Sequence, residues 1–218
     1  MKDNNNNSKQ VLLSVLGVAI LVVAVVGVSF AAFTFSQTGE KTNTITTGVI
    51  TMNYKESDNY IHLTNAMPMN DSTGAALPST TDGNVFDFTV SGKITGSGNT
   101  TINYAISAVP TEGTNTLKNN FVKVYLTDQD DSPVTGFTQN TGKLVSSLEM
   151  GAGASDAAGV PEDQRVLFRG TFTSTNGSPV DETREYRLRM WVADNYEVTG
   201  TSETYTLKVN VYGKADAQ

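Results

Sequence analysis

Residues 185–193, EYRLRMWVA, and residues 204–212, TYTLKVNVY, carry the clearest pattern in the chain. In the first, Tyr186, Leu188, Met190 and Val192 point one way, and Arg187, Arg189 and Trp191 the other. In the second, Tyr205, Leu207, Val209 and Val211 oppose Thr206, Lys208, Asn210 and Tyr212. Side chains alternate across a strand, so each segment is read as a strand with one core face and one wet face.

Working outward, the same alternation recurs upstream, interrupted by Gly, Asn or Pro clusters. It predicts strands at Ile45–Met52, Tyr60–Leu63, Val85–Val90, Ile102–Ala108, Phe121–Thr127, Lys143–Met150 and Val166–Phe172. Phe86, Phe88 and Val90 share one face, as do Ile102, Tyr104 and Ile106. Ser91-Gly92-Lys93, residues 96–99 and residues 174–179 read as turns, and residues 69–84 as a longer surface loop. Residues 150–161, rich in Ala and Gly, suit a loop or a single helical turn. With 38% hydrophobic residues and 19 Gly, the composition favours short strands over long helices. The expected fold is all-β: a single antiparallel β-sandwich, jelly-roll-like, over residues 45–218, preceded by one N-terminal hydrophobic helix.

That helix is residues 11–33, VLLSVLGVAILVVAVVGVSFAAF, with no charge and two serines. At about 1.5 Å per residue it spans roughly 35 Å, against a hydrocarbon core of about 30 Å. It is apolar all round, unlike the striped helix of a soluble domain. Residues 1–10 form a polar n-region with Lys2 and Lys9 against Asp3, and no Lys or Arg follows the helix until Lys41. This bias leaves the N-terminus cytoplasmic and places everything after Phe33 outside, in an extracellular or cell-surface location. Ser29 and Ala31 supply the small residues of a signal-peptidase site that would cut before Ala32, while the length of the run favours a retained anchor. Residues 34–44 are an extended linker.

Beyond the n-region the chain carries 13 basic and 21 acidic residues, which argues against nucleic acid as a partner. Without cysteine there is neither a disulfide framework nor a thiolate metal site. No catalytic set can be built around His62, the only histidine, and no zinc motif or phosphate-binding loop occurs. The expectation is therefore a protein that is not an enzyme, with no cofactor and no metal site. Asp128-Gln129-Asp130-Asp131 resembles a calcium loop only in its oxygens, and an exposed acidic hairpin is the simpler reading. Asp156, Glu162 and Asp163 read as ordinary surface acids. All five arginines lie between Arg165 and Arg189. Arg187, Arg189 and Trp191 would share the outward face of their strand, an interaction face for another copy, unless they pair with Glu182 and Glu185. Trp191 with Tyr125 and Tyr212 would make a carbohydrate platform on that face. Sequons at Asn70, Asn99 and Asn176 matter only in a host that glycosylates them.

The junction GVSFAAF (27–33) followed by NTITTGVITM (43–52) resembles the TasA/camelysin family of bacterial and archaeal surface proteins. Residues 61–69, IHLTNAMPM, and 185–192, EYRLRMWV, are similar to common members as well. The resemblance implies a signal peptide removed by a dedicated peptidase and a jelly-roll ectodomain that polymerises into biofilm-matrix fibres. Assembly would proceed by donor-strand exchange, with Phe33 and Phe35 leading the donated segment of residues 32–44. The partner is then another copy, in a homo-oligomer or polymer, with at least transient membrane contact through residues 11–33 and any small-molecule ligand left open. The peptidase activity described for some members finds no motif here. Two alternatives stand beside it: a membrane-anchored envelope or virion structural protein with an uncleaved helix, and an adhesin or carbohydrate-binding module.

Overall fold

The computed structural model describes residues 34–38, 43–47, 50–56 and, apart from short breaks at 65, 80–82, 96–98, 112, 114, 177, 199 and 201, residues 61–217. The hydrophobic segment 11–33 lies outside these residues. Among the described residues no helix is long and apolar enough to cross a membrane.

Thirteen strands are described: β1 (Thr34–Thr38), β2 (Asn43–Thr47), β3 (Ile50–Glu56), β4 (Ile61–Thr64), β5 (Pro68–Met69), β6 (Val85–Ile94), β7 (Thr100–Pro110), β8 (Val122–Asp128), β9 (Lys143–Leu144), β10 (Glu149–Met150), β11 (Arg165–Ser174), β12 (Val180–Ala193) and β13 (Thr204–Ala217). One short helix, α1 (Asp71–Ala75), sits between β5 and β6. The first sheet runs β1-β13-β7-β11-β10, with β4 also on β13. The second runs β2-β3-β6-β12-β8-β9, with β5 beside β12. Every pairing is antiparallel except β5 with β12.

Eight of these strands, β4, β6, β7, β8, β9, β11, β12 and β13, have jelly-roll connectivity. In chain order the first, eighth, third and sixth make one sheet (β4-β13-β7-β11). The second, seventh, fourth and fifth make the other (β6-β12-β8-β9). Strands β1 to β3 are added to this roll at one side. The interior is filled by the alternating positions expected to be apolar: Phe86, Phe88, Val90, Ile102, Tyr104, Ile106, Leu188, Met190, Tyr205, Leu207 and Val211 are all buried. Each such side chain contributes about 1.5–3 kcal/mol on leaving water.

Four local expectations are corrected. Residues 45–52 are not one strand: β2 and β3 form a hairpin closed by Thr47↔Ile50. Residues 143–150 divide between the two sheets, because Val145–Ser147 form a 3₁₀ turn that buries Val145 and Leu148 three positions apart. Gly92 is no turn residue but lies inside β6, where a Cβ would stand 2.3 Å from the Phe172 ring. Within the expected loop 69–84 lies α1, whose Gly74 and Ala75 are buried. Its cap is Asn70, whose Oδ1 accepts from the Thr73 N–H at 2.9 Å and from the Ser72 hydroxyl at 2.8 Å.

Candidate functional site: the edge of β13

β13 is flanked by β7 on one side along Leu207–Ala217. Its other side is shared by two short strands placed end to end. β4 pairs with Thr204–Leu207, and β1 pairs with Asn210–Lys214 in the register Thr34↔Lys214, Phe35↔Gly213, Ser36↔Tyr212, Gln37↔Val211 and Thr38↔Asn210. Phe35, expected in the donated segment, therefore falls on this edge, opposite the one residue of the strand pair that has no side chain. Ser29, Ala31, Ala32 and Phe33 lie outside the described residues.

Behind the edge, the face of β13 expected to be wet is dry. Asn210 is 2% exposed and Tyr212 3%, because the segment 151–164 folds over them. Tyr212 packs with Ala105, Ala158, Val160 and Val166. Gln164 Nε2 donates to the Tyr212 hydroxyl at 2.5 Å, while its Oε1 accepts from Ser107 Oγ at 2.8 Å and Asn210 Nδ2 at 3.1 Å. Asn210 Oδ1 is buried with no hydrogen-bond partner among the described residues.

The clamp on this cover is Asp156. Its carboxylate takes a two-pronged contact from Arg169 on β11, at 2.8 and 2.7 Å, and accepts the N–H groups of Ala158 and Ala152 at 2.9 and 3.2 Å. Burial pushes its carboxyl upward, but the Arg169 guanidinium and the backbone N–H groups of Ala158, Ala152 and Val160 outweigh this. They hold it well below the usual carboxylate range. The reading of Asp156 as an ordinary surface acid is thus corrected. The signal was present, since it is the only charge in the stretch GAGASDAAG, and small neighbours allow a carboxylate to be wrapped by backbone.

The expected interaction face of Arg187, Arg189 and Trp191 does not exist as an exposed surface. Trp191 is 0% exposed and Arg189 3%. α1 and the segment around Gly142 cover them: a Cβ on Gly74 or Gly142 would lie 2.2 or 2.4 Å from the indole. Arg189 donates to Leu77 O, Thr127 Oγ1 and Asp131. Arg187 forks onto Asp87 at 2.8 and 3.0 Å and also reaches Asp131. Glu182 pairs with Arg184 at 2.7 Å. Tyr125 and Tyr212 are buried as well, in different sheets, so no aromatic platform forms with Trp191.

The acidic run 128–131 forms an exposed turn, with Gln129, Asp130 and Asp131 at the surface. Asp128 Oδ1 accepts the N–H groups of Asp130 and Ser132 at 3.0 and 2.9 Å. The Arg189 contact lowers the Asp131 carboxyl pKa against a modest burial effect. Among the described residues no cluster of His, Asp and Glu could hold a metal ion. His62 lies on β4 with Nδ1 2.6 Å from Thr206 Oγ1 and Nε2 2.7 Å from Thr64 Oγ1, a cross-strand polar ladder. Asn99 Oδ1 accepts the Asn176 N–H at 2.7 Å, joining two of the sequon positions across a loop pair.

One apolar cleft, about 230 Å³, opens at the end of the sandwich where β13 begins. Leu63, Met67, Leu117, Val192, Tyr196 and Val198 contribute to its walls. No family model matches the chain, and no curated protein matches it.

Proposed function

We propose that this chain is an exported structural subunit of the cell surface or extracellular matrix, and that it assembles by donating the segment around β1 to the β13 edge of a second copy. The observation that carries this reading is the position of β1. It is a five-residue edge strand whose only strand partner among the described residues is β13, joined to β2 in the opposite sheet by just residues 39–42 in sequence. Its hydrogen bonds are main-chain bonds, which an identical strand from another copy reproduces without a change of sequence. The edge of β13 that β4 leaves open begins at Lys208. Continuing the register of β1, that edge takes residues up to about 31, where the signal-peptidase pattern ends. A strand with a free end at Ala32 would fill it.

The chain's lack of cysteine makes the test direct. Gln37 and Val211 stand opposite each other, so a chain carrying Q37C is co-produced with one carrying V211C. Donation gives disulfide-linked heterodimers on non-reducing gels, and Q37C with T173C on β11 gives none. Absence of the Q37C–V211C product from assembled material refutes donation. The membrane-anchored alternative is favoured by the uninterrupted apolar run 11–33. Protein from washed membranes that still begins at Met1, with the doubly substituted Q37C/V211C chain closing only on itself, would establish it instead.

A further inference from the structure

A glycine inside a strand weakens it, and marks a place where something else approaches closely. In this sandwich the close approach is made by aromatic rings. Gly92 in β6 lies against the Phe172 ring, and a Cβ on Gly170 in β11 would run into Cζ and Oη of Tyr104. Gly170 and Tyr104 are register partners on neighbouring strands. The Tyr104 ring therefore reaches across the sheet and covers the glycine of the next strand, an aromatic supplying the contacts that the glycine lacks.

The same row continues on the other side of Tyr104. Its partner on β13 is Gly213, and the partner of Gly213 on β1 is Phe35. Aromatic and glycine thus alternate across four strands: Phe35, Gly213, Tyr104, Gly170. Directly opposed residues share a face, and for this row it is the inner one, since Tyr104 is buried. The earlier inward positions of β13, Tyr205, Leu207, Val209 and Val211, are large and buried; Gly213 is buried with no side chain of its own. Pairing with β7 runs through it without a shift of register, so it is not a bulge. The Tyr104 ring reaches towards β11 and does not take the place of a side chain at 213. The aromatic that the row offers to Gly213 is position 35.

We infer that Gly213 is the residue that selects the arriving strand, taking an aromatic opposite it and thereby fixing which residues of the donor lie along β13. This rests on the donation proposed above. The partner it selects is a second copy of this chain, whose segment carries Phe33 and Phe35 two residues apart. Main-chain hydrogen bonds are alike in every register. A slip of one residue turns the faces of the strand over, but a slip of two preserves them, so a match of size at one position is what excludes it.

The test moves the aromatic and reads the register, with full-length donors carrying Q37C and recipients carrying either V211C or V209C. With Phe35 at Gly213, Gln37 stands opposite Val211, and the heterodimer forms with V211C. F35A leaves Phe33 as the nearest aromatic of the donated segment. Placing Phe33 at Gly213 slides the strand two residues along β13, as far as Lys208 where the open edge begins, and brings residue 37 opposite Val209. F35A is therefore expected to lower the Q37C–V211C heterodimer about tenfold, the loss of one buried aromatic, while a Q37C–V209C heterodimer takes its place. The inference is overturned if F35A still links mainly to V211C, or if that product is lost with no gain at V209C. If Q37C with Phe35 intact links to neither recipient, donation itself has failed and the inference falls with it.

Discussion

Replacing Asp156 by Asn tests the cover behind the β1–β13 edge most sharply. The carboxylate is completely buried, while its partner Arg169 keeps 37% of its side chain exposed. Asn at this position retains one acceptor oxygen and turns an NH₂ group towards donors, either Arg169 or the N–H groups of Ala152 and Ala158. A charge-assisted hydrogen bond is worth about 1.5–3 kcal/mol, and a buried donor left unsatisfied costs about 1–3 kcal/mol. The ion-pair part is discounted because Arg169 can turn to water. The expected loss is about 2–4 kcal/mol, on the order of 10 °C in Tm for a domain of this size. Because the folded Asp156 pKa lies below the unfolded value of about 3.9, its contribution is complete above that value. It is lost as pH falls through the folded pKa. The difference between parent and D156N should therefore be constant above about pH 5 and close progressively below about pH 4. Chemical unfolding at pH 7 and at pH 3 reads both effects. A difference under 1 kcal/mol at pH 7, or one that persists undiminished in acid, refutes the clamp.

Two other substitutions probe the packing that the strand pattern conceals. Gly92→Val places a side chain against the Phe172 ring, 2.3 Å from the ideal Cβ position. It should cost about 1–3 kcal/mol or more by overpacking, measured as a lower urea midpoint at constant slope. Trp191→Ala empties a fully buried site and should cost about 3–5 kcal/mol, while binding on a glycan array stays the same as for the parent; a selective loss of glycan signal would revive the platform reading.

The strands were legible because their inward positions alternate without interruption, as in Phe86-Phe88-Val90 and Tyr205-Leu207-Val209-Val211. The outward positions misled where a third layer covers the sheet. Nothing in EYRLRMWVA distinguishes a Trp facing water from one beneath α1, because α1 is five residues long and its burial depends on Gly74, a residue that reads as a loop signal. The same holds for Asn210 and Tyr212, which look like wet-face residues until segment 151–164 folds over them. In both places glycine and alanine mark close approach between layers, whereas local reading takes them for turns. The β1–β13 pairing was invisible for a different reason. Which side of β13 carries β1 is a matter of strand order, and strand order is a non-local property that periodicity does not encode.

Energetics bear on the proposed donation. A strand moving from its own β13 to a neighbour's would exchange one set of main-chain hydrogen bonds for the same set, so the pairing itself would contribute no net drive. Association would meanwhile cost several kcal/mol in lost translational and rotational freedom, by estimates of about 4–15 kcal/mol. Something outside the strand must then favour the linked form. One source is the shortness of the segment between β1 and β2, residues 39–42 in sequence, because short hinges promote swapping. The other is apolar surface buried between the two copies, at about 25 cal/mol per Å² removed from water. Lengthening 39–42 with Gly-Ser separates them: assembly should weaken if the hinge drives it, and should stay intact if buried apolar surface does.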